Sequence, residues 1–302
     1  MANSEHLLLV QRDARTWHQW KTQYPHIQPD LSAAALAGIH LGDRNLEGAN
    51  LREANLENAH LAGVNLSDAI LSKANLAGAD LSDAILAAAE LVVTTLYRTN
   101  LTRADLSDAN LIGADLREAN LQEAELSCAN LIGTDFHQAQ MRNANLTEAQ
   151  LRRSSLVQAN LNSAILNEAD LTQANLHAAD LVNSHLYKAV LVQANLSCAH
   201  LSACYLANAN LEAAFLLEVD LRWSDLSRSN LIEADLRGAN LTGATLTRAD
   251  LRRCDLRNAR LIGADLRYAD LRNVDLRGAD LRMARLDHAR LQSTLMPDGE
   301  VV

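Results

Sequence analysis

The sequence predicts an all-β solenoid, in which short parallel strands stack coil upon coil, and three observations lead to this fold class. Every fifth residue over Leu36–Leu291 is leucine, and Phe136 and Met141 are the exceptions among the 52 positions. The residue two places before each leucine is small, and 37 of the 49 such sites over Ala49–Ala289 are alanine. A period of five fits neither a helix nor a flat strand, so it indicates a structural repeat.

The repeating unit is A-(D/N)-L-x-x, as in Ala279 to Met283. In extended backbone the leucine and the small residue face one side, and the Asp or Asn between them faces the other. Ten of the twelve glycines lie two places after a leucine of the repeat, where a corner with positive φ suits glycine. Each unit is therefore predicted to be a short inward-facing strand and a corner, and stacked neighbours bury a column of leucine and alanine.

This motif recurs in one frame over about 265 of the 302 residues, and it resembles the pentapeptide-repeat family. The resemblance implies a right-handed quadrilateral parallel β-helix with four units, or about twenty residues, in each of about 13 coils. The unbroken register predicts a single elongated domain. We expect an N-terminal helical cap over residues 1–30, the β-helix over 31–295 and a C-terminal tail over 296–302.

The N-terminal segment breaks the five-residue period. Residues 4–24 are predicted to form one helix, because Leu7, Val10 and Trp17 fall on one face at helical spacing. This helix is interpreted as a cap that covers the first coil, and the alternative is a helix that docks a partner. The segment from Trp17 (W-x-x-W, then P-D-L) is also similar to the N-terminal leader of many cyanobacterial pentapeptide proteins.

The C-terminal tail is too short to form a capping helix. The last coil is therefore expected to present open strand edges, which are templates for pairing with another chain. Some members of the family dimerise through this end. We predict a homodimer through the C-terminal coil.

Charge is distributed unevenly along the chain, whose formal net charge is −10. Residues 1–220 carry 13 basic and 25 acidic groups, and residues 221–302 carry 14 basic and 12 acidic groups. The ordinary interpretation is a solvated surface. The alternative is an acidic rod that repels nucleic acid and meets a basic partner, so no direct nucleic acid binding is expected.

The four cysteines are spaced so that no pair stacks, and no disulfide is expected. Together with the lack of a signal peptide pattern or a membrane span, this predicts a cytoplasmic protein. No catalytic signature such as a phosphate loop or G-x-S-x-G occurs. The sequence therefore predicts no enzyme and no cofactor.

A period of twenty places certain outward side chains in columns. His40, His60 and Asp80 form one column, which is a weak candidate metal site, and the alternative is a coincidental surface ladder. Arg237, Arg257 and Arg277 form another, interpreted as a salt-bridged ladder with an anion or partner contact as the alternative.

Exposed apolar side chains are the other candidate partner contacts. Tyr187 and Tyr205 are predicted to cluster on one face with His185. Phe215 and Leu217 are predicted to flank the inward Leu216 on the opposite face. Single apolar residues on a surface usually carry no function, so these positions are hypotheses to be tested first.

Two function hypotheses remain. The first is a non-enzymatic structural and interaction protein, a rigid acidic rod that presents a surface to an unidentified protein partner. The second follows from the resemblance: quinolone-resistance members of the family are acidic dimers that mimic DNA on gyrase. The negative charge of residues 1–220 agrees with this alternative, whereas the arginine-rich C-terminal end disagrees with it.

Overall fold

The computed structural model describes residues 2–42 and 44–302. The chain divides into two compact units, Met1–Gln150 and Leu151–Val302. Two short helices open the first unit. In both units the rest of the described backbone follows the five-residue repeat.

Each coil is held to the next by single-residue parallel bridges. The bridged residue is the one before the leucine, and its partner lies twenty positions along the chain, as in Asn50 with Ile70 and Asn210 with Asn230. The leucine N–H then donates to the partner's carbonyl, and Leu51 N lies 2.7 Å from Ile70 O. Four repeats therefore make one turn in each unit, as the resemblance implied.

The interior of each unit is a column of leucine interleaved with alanine. The inward leucines of the repeat from Leu31 to Leu276 are at most 2% exposed, and Phe136 and Met141 are fully buried at the same position of the repeat. Burying one leucine stabilises the fold by about 2 kcal/mol before ordering costs. The prediction that the leucine and the small residue of each repeat face inward is therefore confirmed.

Polar residues in the small inward position keep their hydroxyl groups hydrogen-bonded. Ser154 Oγ donates to Leu151 O three residues back at 2.7 Å, and Ser224 does the same to Leu221. Thr94 Oγ1 instead donates to Leu71 O in the preceding coil at 2.8 Å. These bonds offset the cost of burying a hydroxyl group in an apolar core.

Most corners adopt a positive φ, including those without glycine. Glycines such as Gly78 adopt positive φ two places after a leucine, as predicted, but so do 42 described residues that are not glycine, with φ from +53° to +61°. This conformation costs about 1–2 kcal/mol for a residue with a Cβ. Hydrogen bonds offset that cost at each corner: Lys73 N donates to Val92 O at 3.0 Å and Ala74 N to Leu71 O at 2.9 Å.

The single helix predicted over residues 4–24 is wrong, because the segment forms two helices. Helix α1 spans Ser4–Gln11 and helix α2 spans Ala14–Gln23. Asp13 interrupts the helix, since its extended backbone lets its carboxylate accept the Thr16 N–H at 2.8 Å and begin α2. Asn3 begins α1 in the same way.

The helices contact the first coils through a few directed hydrogen bonds. Trp17 is 1% exposed, and its Nε1 donates to Asn45 O at 2.8 Å. Arg44 Nη2 donates to Arg12 O, between the two helices, at 2.8 Å. The expected apolar face is thus partly formed: Val10 and Trp17 are buried, whereas Leu7 is only half-buried.

The C-terminal tail folds back as a small antiparallel hairpin. Val301 pairs with Leu295 in an antiparallel bridge, and Met296 N donates to Glu300 O at 2.8 Å. The expectation of a fully open last coil therefore needs correction, because the tail occupies one of the strand edges. The leucines of that coil remain only half-buried; they are Leu281, Leu286 and Leu291.

Candidate functional site

The proposed metal column is formed in space, but its geometry does not suit a metal. His40, His60 and Asp80 lie on consecutive coils, and the two imidazole rings stack with centroids 4.1 Å apart and planes 1° from parallel. A metal lies close to the plane of each imidazole that binds it, and two parallel, separated planes share no point. Among the described residues no three His, Cys, Asp or Glu side chains are placed to hold a metal ion. The stacked rings therefore favour the surface ladder, and metal binding at this column stays a prediction.

Asp80 is tied into the wall of the solenoid rather than free for a ligand. Its Oδ1 accepts hydrogen bonds from Ser82 N at 3.1 Å and from Asn100 Nδ2 at 2.8 Å. Burial acts to raise the pKa of Asp80, but the hydrogen bonds from Ser82 and Asn100 outweigh it, so the pKa lies below its usual value.

The arginine column forms a salt-bridged ladder. Arg237 grips Asp235 with two hydrogen bonds, Nε to Oδ1 at 2.8 Å and Nη2 to Oδ2 at 2.6 Å, and its Nε lies 3.7 Å from Asp255 on the next coil. Arg257 and Arg277 hold their own aspartates in the same way. Because their guanidinium groups are already engaged, the geometry favours the ladder, and contact with a partner stays a prediction.

The predicted tyrosine cluster is brought together on consecutive coils. The rings of Tyr187 and Tyr205 are 5.9 Å apart and 20° from parallel, and His185 lies 6.3 Å from Tyr205. Lys188 Nζ lies 5.2 Å from the Tyr187 ring, a distance at which a cation is attracted to an aromatic face. Phe215 and Leu217 are 53% and 36% exposed on either side of buried Leu216.

Two surface features of the second unit were not singled out from the sequence. Trp223 is 70% exposed and stands next to Gly243 on the following coil. Tyr268 and His288 stack with ring centroids 4.9 Å apart, and the Arg248 guanidinium lies 5.8 Å from the Tyr268 ring. The twenty-residue spacing between Trp223 and Gly243, and between Tyr268 and His288, is the sequence signal for both features, because residues twenty apart share a column.

A cleft of about 590 Å³ lies between α2 and the first coils. Trp17 and Lys21 line its helical side, and Glu47 and Asp68 line the opposite side. Arg44 also lines it, and burial holds the pKa of this guanidinium below its ordinary value.

All four cysteines are free thiols. Cys128 is exposed and Cys198 is half-buried, whereas Cys204 and Cys254 occupy the inward small position and are 2% exposed. Each buried thiol donates to a leucine carbonyl of the preceding coil, Leu181 O at 2.9 Å and Leu231 O at 2.6 Å.

The family model for pentapeptide repeats matches the chain in eight copies. They cover residues 30–68, 49–87, 99–138, 139–177, 154–193, 174–212, 216–253 and 254–292. This chain belongs to the pentapeptide-repeat family. Similar solved structures of the family are right-handed β-helices, the fold class that the resemblance implied.

Solved structures of the family are similar to this chain. HetL, a pentapeptide-repeat protein involved in heterocyst differentiation regulation in the cyanobacterium Nostoc sp. strain PCC 7120, is 35% identical. The match covers 80% of this chain and 92% of HetL, with a TM-score of 0.32. Full-length QnrB1, a plasmid-mediated fluoroquinolone resistance protein, is 17% identical over 72% of this chain and 90% of its own, with a TM-score of 0.29.

A third structure, the pentapeptide-repeat protein Rfr23 from the cyanobacterium Cyanothece 51142, is 37% identical over 33% of this chain and 58% of its own, with a TM-score of 0.16. A comparison with curated proteins gave no match. Within the described residues, no helix has the length and apolar character needed to cross a membrane.

Proposed function

We propose that this pentapeptide-repeat chain is a non-enzymatic interaction protein that presents an ordered, acidic surface to a protein partner. The observation that carries the proposal is the ring pair of Tyr187 and Tyr205, 5.9 Å apart on consecutive coils, with Tyr205 41% exposed. Aromatic side chains on a rigid scaffold are the residues that most often dominate protein interfaces. The ladder of backbone hydrogen bonds holds these two side chains in place before a partner arrives, which lowers the entropy cost of binding.

Other observations support the same proposal. Phe215 and Leu217 add a second exposed apolar spot. Membership of the pentapeptide-repeat family, whose proteins are generally non-enzymatic, supports an interaction protein over an enzyme. We also place the protein in the cytoplasm, and the four free thiols support a reducing compartment.

A pull-down tests the proposal. The intact chain is immobilised and exposed to a cyanobacterial lysate beside a Tyr187→Ala/Tyr205→Ala double variant. Tyr97→Ala is the matched control, because it removes a tyrosine from the other unit. We expect a protein that is retained by the wild type and the control but lost from the double variant. Capture of the same proteins by all three chains would overturn the proposal.

A DNA-mimic inhibitor of gyrase is the second candidate. The excess of 25 acidic over 13 basic groups in residues 1–220 favours it, because such a surface resembles the charge of a phosphate backbone. A gyrase supercoiling assay tests this function directly. Inhibition at micromolar protein supports it, and uninhibited supercoiling excludes it.

A homodimer through the C-terminal coil is part of the proposal. Its support is the half-burial of Leu281, Leu286 and Leu291 and the 85% exposure of Met283. Light scattering across a concentration series tests it, with Leu286→Lys as the variant that charges the end. A wild type that stays monomeric at high concentration would remove the dimer.

A further inference from the structure

One corner of the second unit carries a column of four consecutive side chains, Arg228, Arg248, Tyr268 and His288, which we name the Arg248 column. Each residue lies twenty positions after the previous one and adopts a left-handed φ between +58° and +61°. The four side chains therefore leave the backbone from equivalent positions on consecutive coils. Arg248 lies over the Tyr268 ring at 5.8 Å, and Tyr268 stacks on His288 at 4.9 Å.

The two arginines of this column lack the carboxylate partner with which most arginines of the unit form an ion pair. An arginine two places after an aspartate grips that aspartate with two hydrogen bonds, as Arg252 grips Asp250 at 2.8 Å and 2.7 Å. Arg228 and Arg248 follow Leu226 and Leu246 instead, and neither forms an ion pair with a described residue. Like charges on neighbouring coils, about 4.8 Å apart, repel each other, so an anionic group beside them would be favoured.

A cavity of about 370 Å³ lies beside the lower part of the column. Arg248, Tyr268 and His288 line one side, and Asp250, Asp270 and Arg290 line the other. The Asp250 carboxylate is held by Arg252 at 2.8 Å and 2.7 Å. Asp270 is already neutralised, because Arg272 binds both of its oxygens at 2.8 Å and 2.7 Å and Arg290 lies 3.6 Å away. The groups left free to bind a ligand are therefore cationic and aromatic.

We propose that the Arg248 column and this cavity bind an acidic segment of a protein partner. The segment sets carboxylates against Arg228 and Arg248 and an aromatic or aliphatic side chain against Tyr268. This inference rests on the proposed function and specifies the chemistry of one segment of the partner, which contacts residues 221–302, where 14 basic groups exceed 12 acidic groups. Guanidinium groups match carboxylates in paired hydrogen bonds, and the exposed ring supplies a flat apolar contact. A nucleic acid fits less well, because a chain with a net charge of −10 repels a long polyanion.

Fluorescence anisotropy tests the inference with the full chain and a labelled ten-residue peptide of alternating glutamate and tyrosine. We expect saturable binding that weakens as salt is raised. Arg228→Gln/Arg248→Gln should weaken binding about tenfold. Arg237→Gln/Arg257→Gln is the matched control, since it removes the same two charges from consecutive coils of another column, and should change binding less than about twofold.

A second variant and a second peptide keep the test decisive. Tyr268→Ala should weaken binding without any change in charge, and a peptide with glutamine in place of glutamate should not bind. Circular dichroism confirms that each variant is folded. Absence of binding by the wild type, equal binding of the glutamine peptide, or equal effects of the two double variants would each overturn the inference.

The peptide titration and the pull-down give independent results, so failure of the inference can be distinguished from failure of the proposed function. The pull-down depends on Tyr187 and Tyr205, whereas the titration depends on Arg228 and Arg248. A partner that needs the tyrosines and binds the Arg228→Gln/Arg248→Gln variant undiminished leaves the proposed function standing and removes the inference.

Discussion

The indole ring of Trp223 lies against Gly243, one coil further along the chain, in space that a Cβ at Gly243 would occupy. Trp223 is 70% exposed, and the inner face of its indole packs on the backbone of Gly243. A large aromatic side chain is accommodated at this corner because the next coil supplies a glycine.

Replacing Gly243 by alanine should therefore displace the indole. The backbone at Gly243 has φ of +68°, so alanine costs about 1 kcal/mol there through strain alone. The clash with Trp223 adds to that cost, and we expect the urea midpoint to fall and the indole emission to change.

Gly263→Ala is the matched control for this substitution. Gly263 lies in the same column with φ of +66°, and a Cβ there meets nothing within 4 Å. Its loss of stability should equal the strain alone. Equal losses for the two variants would show that the Trp223 contact contributes nothing.

Val93→Gly should stabilise the protein, although glycine usually weakens ordered backbone. Val93 is β-branched, 54% exposed and held at φ of +57°, and glycine relieves that strain by about 1 kcal/mol net of its unfolded-state entropy. Val92→Gly, at a position with ordinary φ, should instead destabilise by about 1 kcal/mol. Thermal melts of both variants check this, and a lower melting temperature for Val93→Gly would contradict it.

At the inward small position, added volume should lower stability more than added polarity. Ala109 is fully buried, so Ala109→Leu overpacks the core and should cost about 1–3 kcal/mol or more. Ala109→Ser should cost less than about 1 kcal/mol, because its hydroxyl can donate to Leu106 O as Ser154 does to Leu151 O. Urea unfolding of the pair tests this ranking, and a serine variant as unstable as the leucine variant would refute it.

Thiol reactivity should follow burial. Burial raises the pKa of Cys204 to about 11 and raises that of Cys254 as well, so neither thiol should react in the folded protein. Burial and nearby carboxylates, including Glu148, also raise the pKa of exposed Cys128. Its labelling should therefore be slow at pH 7 and faster as the pH rises. Titration with a thiol reagent, with Cys128→Ser as control, tests this, and labelling of Cys204 without denaturant would contradict it.

Stability should fall in acid because of the aspartate ladders. A hydrogen bond from Arg237 holds the pKa of Asp235 below its usual value, against the opposing effect of burial. Since the folded pKa is depressed, this contribution is complete above the unfolded value of about 4 and is lost as the pH falls through the folded value. Melting temperatures at pH 7, 5, 4 and 3 check this.

The variant Arg237→Gln/Arg257→Gln/Arg277→Gln isolates the ladder. It removes the hydrogen bonds that depress the pKa of Asp235 and Asp275, so its melting temperature should depend less on pH between 4 and 3. A variant with the same acid sensitivity as the wild type would show that this ladder does not link stability to pH.

The core could be predicted from sequence because two constraints coincide in each repeat. Leu51 and Ala49 lie two apart, which in extended backbone places both inside, and both are buried. The number of repeats per turn came from the family resemblance, and the pairing of residues twenty apart agrees with it. The columns of candidate residues followed from that number alone, so Tyr187 and Tyr205 were placed correctly as neighbours.

The helix break, the side-chain orientations and the corner backbone could not be predicted, because they depend on local hydrogen bonds and contacts that the repeat pattern does not specify. The break between α1 and α2 arises because the Asp13 carboxylate competes for the backbone N–H of Thr16. The sequence placed His40 and His60 in one column but could not predict their side-chain orientation, and their rings stack. Positive φ at the corners was inferred from the glycines, and its extent at other residues could not be predicted because the inter-coil hydrogen bonds that offset the strain depend on how the coils align.

The pairing of residues twenty apart has a consequence for how such a chain can change in length during evolution. A gain or loss of five residues leaves the leucine pattern intact but shifts the pairing across that point by one face, so that outer side chains within one turn of it acquire new neighbours. Only whole turns preserve those neighbours. Duplications of twenty residues should therefore conserve a binding epitope, whereas a five-residue insertion within an epitope should change its neighbours while the molecule still folds.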